Sequence, residues 1–195
     1  MMLLVWLCAG YLIGAIPTGV ILTRLAGRED IRQAGSGNIG ATNVYRVAGR
    51  TLGIVTLIGD CLKGLLPVLV AQQFFQLDAP SVALIALATF LGHCFPVYLG
   101  FKGGKGVATA LGIFLVLSPL AVLVALALFL LVLWLWRYIS LASISAAAAI
   151  PFLIFFFSTA PALFASSLTM AALVIWKHKA NIERLRNGSE SRFSV

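Results

Sequence analysis

The chain has 195 residues, 61% of them hydrophobic and only 10% charged, with a mean hydropathy of +1.04. A soluble domain carries roughly 25% charged residues, so a soluble enzyme or binding module is excluded. The net charge of +8, from 14 Lys and Arg against 6 Asp and Glu, does not point to nucleic acid, because no soluble basic face accompanies it; membrane proteins keep such an excess in their cytoplasmic loops.

The first apolar run, residues 1–23, lacks a basic start and a small-residue cleavage end. It also carries Tyr11, Gly14 and Pro17, and so reads as a retained span rather than a signal peptide. Further apolar runs cover residues 52–75, 81–99, 107–136, 139–157 and 160–176, against the about 20 helical residues needed to cross a bilayer. The run 107–136 contains Ser118-Pro119. Proline removes a helical donor and clashes with the preceding turn, leaving either one kinked span or a hairpin of two short helices.

Basic residues decide between them. Five lie in residues 24–50, two are Lys102 and Lys105, one is Arg137, and five lie in residues 177–192; the last, Lys63, sits within the second span. The connections 76–80, 118–119 and 158–161 hold none. With a hairpin at Ser118-Pro119, every basic connection falls on one face and every basic-free one on the other. The expectation is an all-α integral membrane protein of seven transmembrane helices. The N-terminus is outside, the C-terminus is cytoplasmic, and residues 1–195 form a single transmembrane domain. Residues 107–117 are too short to cross alone at 1.5 Å per residue, so protein or a water-filled cavity must shield that helix.

All three polar, glycine-containing connections then gather on the cytoplasmic face. The first is GSGNIGATNVYR, residues 35–46. Gly35, Gly37 and Gly40 permit backbone turns in which successive N–H groups converge on an anion. Ser36, Asn38, Thr42 and Asn43 add neutral donors, and Arg46 adds a bidentate phosphate fork. The plainer alternative is a turn capping the next helix.

The second is GHCFPVYLGFKGGKGVAT, residues 92–109. It departs from the nucleotide-binding template G-x-x-x-x-G-K-[ST] twice: Leu99 stands where the first glycine belongs, and Gly106 follows Lys105 where a hydroxyl would hold magnesium. A glycine loop with a lysine and a following helix N-terminus still suits a phosphate; a flexible linker is the alternative. The third is HKANIERLRNGSE, residues 178–190, which as a helix would put His178, Asn181 and Leu185 on one face. Basic tails after a last span are, however, commonplace.

Inside the spans, Asp60 and Lys63 lie three residues apart on one helix and can pair. An intramembrane charge marks a functional or interior-facing position, and a structural ion pair is the blander reading. Ser140, Ser143 and Ser145 suit helix packing. His93 is as readily structural as catalytic. Cys8, Cys61 and Cys94 are scattered singly and read as reduced thiols. With no carboxylate pair and no histidine cluster, neither metal nor cofactor is expected.

The three motifs in this order, with RYISLASI (residues 137–144) between the second and third, closely resemble the bacterial acyl-phosphate:glycerol-3-phosphate acyltransferases. The resemblance covers almost the full length. It implies transfer of a fatty acyl group from acyl phosphate to the 1-hydroxyl of glycerol 3-phosphate, the first step of bacterial phospholipid synthesis. The partners it implies are these two substrates and the lipid bilayer, with no nucleic acid and no obligatory protein partner; the implied location is the bacterial cytoplasmic (inner) membrane. Acyltransferases that use acyl-CoA or acyl carrier protein rely on H-x-x-x-x-D, but here Tyr98 follows His93 at that spacing and Glu183 follows His178.

The resemblance also implies residue roles. Gly103, Gly104, Lys105 and Gly106 hold the glycerol 3-phosphate phosphate. Ser36, Asn38, Asn43 and Arg46, with Gly35, Gly37, Gly40 and Thr42 around them, belong with the acyl phosphate. His178 and Asn181 complete the site, Ser143 reaches toward the acyl phosphate, and Glu190 fixes the tail. The rival reading is a transporter or channel for an organic phosphate. That architecture usually shows an internal repeat, and none is found.

Overall fold

Pro17 interrupts the first apolar run. Helix α1 (Met2–Gly14) stops before it, α2 (Thr18–Leu25) starts after it, and the two are bent by 42°. The expected single span of residues 1–23 is therefore a bent pair. The computed structural model describes residues 2–158 and 160–193. Position 1, where the first expected span begins, position 159 in the connection 158–161, and the last two residues of the expected 1–195 domain lie outside the described residues.

Among the described residues every regular element is helical. After α2 come α3 (Ala41–Ala48), α4 (Arg50–Leu69) with a π-helical turn at Val70–Phe74, and α5 (Ala79–Cys94) with a 3-10 turn at Val97–Leu99. Then follow α6 (Val107–Leu117), α7 (Pro119–Trp136), α8 (Ile139–Phe157), α9 (Pro161–Lys177) and α10 (Lys179–Arg186). Among the described residues four stretches are long and apolar enough to cross a membrane, Arg50–Phe74, Ala79–Leu99, Pro119–Trp136 and Ile139–Phe157, and the bent pair makes five if it counts as one. Val107–Leu117 and Pro161–Lys177 are shorter apolar helices. The break at Ser118-Pro119 is present, with Pro119 opening α7 where its missing N–H costs nothing.

The polarity of the molecule is inverted relative to a soluble protein. Leu57, Ile58 and Leu66 on α4, Leu123 and Leu130 on α7, and Phe152, Phe155 and Phe156 on α8 face outward, whereas Thr56, Asp60, Lys63, Thr89 and His93 are buried. Lipid as solvent demands this arrangement, because helices satisfy their own backbone and polar side chains must turn inward. The chain is a multi-pass membrane protein.

Two compact units divide it, Met1–Val116 and Leu117–Val195. In the first, α1 packs along α5, and α4 lies against α1, α2, α3 and α5. Helix α6 meets α4 through two glycines: a side chain on Gly64 would strike the Thr109 carbonyl, and one on Gly112 the Cys61 carbonyl. Small residues at such crossings let helix backbones approach closely in membranes. In the second unit, α8 packs between α7 and α9, and α10 leans on α8 and α9.

Candidate functional site

Polar residues in the first unit build two loops on a shared apolar footing. Val20, Ile31, Ile39 and Val44 form a buried cluster, against which Leu52 and Leu99 pack. Leu99 thus carries the start of the second loop onto the base of the first.

Within the first loop, Asn43 binds its neighbours with every polar atom it has. Its amide nitrogen donates to the carbonyls of Ile31 at 2.9 Å and Ala34 at 3.1 Å, and its Oδ1 accepts the Ser36 N–H at 2.8 Å. It is 2% exposed. Gly35, at φ +60°, leaves no room for a side chain because Asn43 Oδ1 occupies that place. Asn38 Oδ1 accepts the Gly40 N–H at 2.9 Å, closing a turn just before α3, and Gly37 is also left-handed at φ +70°. Ser36 and Arg46 stay exposed and Thr42 is half-buried. Asn43 and Asn38 therefore hold the loop's shape, while Ser36 and Arg46 present their polar groups outward. Nearby, the half-buried Asp30 carboxyl is lowered to about 2 by hydrogen bonds from the Arg32 guanidinium and backbone.

The second loop is mounted on the end of α5. Tyr11 donates to the Phe95 carbonyl at 2.7 Å, tying α1 to the approach. The Gly104 N–H donates to the His93 carbonyl at 3.1 Å. Gly104 and Gly106 are buried, Gly103 and Lys105 half-buried, and Lys102 exposed. Gly106, at φ +84°, packs against Phe90 and Cys94, and α6 begins at the next residue. Glycine loop, lysine and helix N-terminus follow one another in the order that suits an anion.

In the second unit, Glu190 organises the tail. It is 8% exposed; its Oε1 accepts Ser140 Oγ and Asn181 Nδ2, both at 2.7 Å, and its Oε2 accepts Arg184 Nε at 2.6 Å. Burial by itself would raise this carboxyl, but the hydrogen bonds from Ser140, Asn181 and Arg184 together with the Arg184 charge hold it below its ordinary value. Two further bonds fasten the tail to the corner before α8: Arg192 Nε donates to Tyr138 Oη at 3.3 Å and the Phe193 N–H to the Arg137 carbonyl at 2.6 Å. His178 is buried, and its Nδ1 lies 2.8 Å from the Val174 carbonyl. A carbonyl only accepts, so Nδ1 carries a proton. Ser143 is buried on α8, three residues after Ser140.

Sequence reasoning missed several of these partners. Ser140 reads as a packing serine yet bonds Glu190, and Arg184 reads as one more basic residue of a tail. No local signal marks either, since their partners come from 50 and 6 residues away. The Asp60–Lys63 pair was legible from spacing and is present, Lys63 Nζ lying 2.7 Å from Asp60 Oδ1.

Comparison with known proteins follows the same outline. A family model described as glycerol-3-phosphate acyltransferase matches residues 4–188. The chain is 64% identical to the glycerol-3-phosphate acyltransferase of Syntrophotalea carbinolica, covering 98% of this chain and 97% of the relative. It is 61% identical to that of Geobacter metallireducens, covering 97% and 96%. Among solved structures it resembles PlsY, an integral membrane glycerol 3-phosphate acyltransferase. The likeness to the glycerol 3-phosphate form has a TM-score of 0.95 and 39% identity, covering 100% of this chain and 96% of the other. To the lysophosphatidic acid form the TM-score is 0.92 at 38% identity, with the same coverage.

Proposed function

Because this chain belongs to the glycerol-3-phosphate acyltransferase family, we propose that its acyl donor is acyl phosphate and that its acceptor is the 1-hydroxyl of glycerol 3-phosphate. The chain is an integral membrane acyltransferase. The products in this reading are 1-acyl-glycerol 3-phosphate and inorganic phosphate, made at the bacterial inner membrane as phospholipid synthesis begins. The observation that carries it is the full-length kinship to enzymes of that name, joined to a glycine–lysine loop at the start of a helix.

Both substrates carry phosphate, and the first unit has two loops suited to it. In the proposed division, residues 103–106 hold glycerol 3-phosphate, and Ser36 and Arg46 face the acyl phosphate on the frame that Asn38 and Asn43 keep. The sequence resemblance assigns His178, Asn181 and Ser143 to the same reaction. The proposed topology has seven spans, the bent pair and the two short helices included, with all three loops cytoplasmic and the whole chain working as one domain.

Acyl phosphate is already activated, so no acyl-enzyme is needed. The acceptor oxygen attacks the acyl carbon, the carbonyl oxygen gathers charge, and the bond to phosphate breaks. Alignment of two bound substrates supplies up to about 7–11 kcal/mol of the barrier reduction, and backbone N–H and hydroxyl donors stabilise the developing charge. The second pKa of a phosphate monoester is near about 6, so the acceptor's own phosphate can take the hydroxyl proton while His178 holds that phosphate. His178→Gln would then keep a pH–rate profile governed by the substrate.

The test is purified protein with labelled glycerol 3-phosphate and one acyl donor at a time. Lysophosphatidate is expected from acyl phosphate alone. Product from acyl-CoA or acyl carrier protein, with none from acyl phosphate, would overturn the donor assignment.

A further inference from the structure

Three ionisable side chains are enclosed within the helices of the first unit: Asp60 is 2% exposed, Lys63 6% and His93 3%. Lys63 Nζ lies 2.7 Å from Asp60 Oδ1 and also donates to the Ile16 carbonyl at 2.7 Å. Ile16 sits in the break between α1 and α2, where Pro17 prevents the helix from continuing. The same Asp60 Oδ1 lies 3.8 Å from His93 Nδ1, on α5. His93 reaches the glycine loop at two points. Its carbonyl accepts the Gly104 N–H at 3.1 Å, and its ring lies so close under Gly104 that a side chain there would collide with Nε2.

A buried ion pair is weak evidence for stability, because desolvating two charges costs about as much as their attraction returns. Ionisable groups inside a membrane protein are expensive and mark working positions. This chain of contacts begins at the α1–α2 break, crosses α4, and ends at the loop that the sequence resemblance gives to glycerol 3-phosphate. We infer that Asp60, Lys63 and His93 are positioning residues for that substrate: they set the placement of the Gly103–Gly106 backbone beneath its phosphate. The inference rests on the proposed assignment of that loop.

The residue types fit the task. A flat ring can lie flush under a glycine, and the Asp60 carboxylate, 3.8 Å from Nδ1, favours through its charge the rotation that turns that nitrogen toward it. Lys63 neutralises Asp60, so the supporting carboxylate does not repel the phosphate, and it anchors the pair to the helix break. An apolar residue at position 93 would fill the volume without fixing a rotation. Placement matters because a loop that fits the phosphate less well loses binding made equally before and during the reaction, which raises KM and spares kcat.

The experiment compares His93→Gln, Asp60→Asn, the double variant Asp60→Asn/Lys63→Met, and Lys105→Ala. For each, KM is measured for both substrates, with kcat and the thermal midpoint in detergent. Asp60→Asn alone strands the Lys63 charge and lowers the midpoint. The double variant removes both charges and recovers it, since replacing a whole buried pair is often neutral. His93→Gln and the double variant are expected to raise KM for glycerol 3-phosphate about tenfold or more, leaving kcat and KM for acyl phosphate within about threefold.

Recovery of KM together with the midpoint in the double variant would reduce the pair to scaffolding and overturn the inference. Equal changes in both KM values would do the same. If Lys105→Ala raises KM for glycerol 3-phosphate while His93→Gln and the double variant do not, the loop assignment stands and the positioning role falls. If Lys105→Ala leaves that KM unchanged, the loop assignment fails and takes the inference with it.

Discussion

Asn43 and Arg46 lie three residues apart on the same short helix and do opposite work. Asn43 satisfies two carbonyls and one N–H of the loop behind it, whereas Arg46 is exposed. Leaving a buried polar group without its partner costs about 1–3 kcal/mol. Asn43→Ala should therefore lower the thermal midpoint. Arg46→Ala should leave the midpoint unchanged and raise KM for acyl phosphate by roughly 10- to 100-fold, as loss of a charged hydrogen bond predicts. Sequence alone does not separate the two, because both are donors in a donor-rich run; only the loop's path brings Ile31 and Ala34 to Asn43. Glu190 makes a second residue-scale case. Its carboxyl is held below its ordinary value by Ser140, Asn181 and Arg184. The stability it contributes is present above the unfolded carboxyl pKa of about 4.3, and is lost as pH falls through the lower folded value. Melting curves should thus show Glu190→Gln below the natural chain in midpoint at neutral pH, with the gap closing in acid.

At the scale of elements, the crossing of α4 and α6 decides where the glycine loop stands. Gly64 and Gly112 let the two backbones meet, and α6 starts immediately after Gly106. Gly112→Val forces the helices apart, an overpacking that costs about 1–3 kcal/mol or more. Both a lower midpoint and a raised KM for glycerol 3-phosphate are expected, and detergent melts with two-substrate kinetics would measure them. Much of this element map was legible: Pro119 marks the end of α6, and α8 runs over residues 139–157 as its apolar run does. The break at residues 15–17 is not legible in the sequence, although Gly14 and Pro17 stand there, because an unbroken apolar run outweighs a single proline when no charged residue accompanies it. The structure adds the reason for the break, since the freed Ile16 carbonyl accepts from Lys63. The Asp60–Lys63 pair was readable because both residues lie on one helix. Its approach to His93 was not, because α4 and α5 meet only in three dimensions.

For the whole molecule, the distribution of charge carries the topological argument. The connection 100–106, the corner at Arg137 and the tail after α9 hold basic residues, whereas connections 76–80 and 118–119 hold none. In the proposed topology, retention of basic loops in the cytoplasm puts all three motifs where a soluble sugar phosphate is available, with acyl chains entering from lipid. A transporter built from the same loops would instead move glycerol 3-phosphate across unchanged. The most direct measurement supplies acyl phosphate and labelled glycerol 3-phosphate to inverted and right-side-out membrane vesicles containing the protein, without nucleotide or CoA. Labelled lysophosphatidate is predicted in the bilayer of inverted vesicles, whose cytoplasmic face is outermost, and not in right-side-out ones. Unmodified glycerol 3-phosphate accumulating in the lumen, with no lipid product in either orientation, would contradict the account.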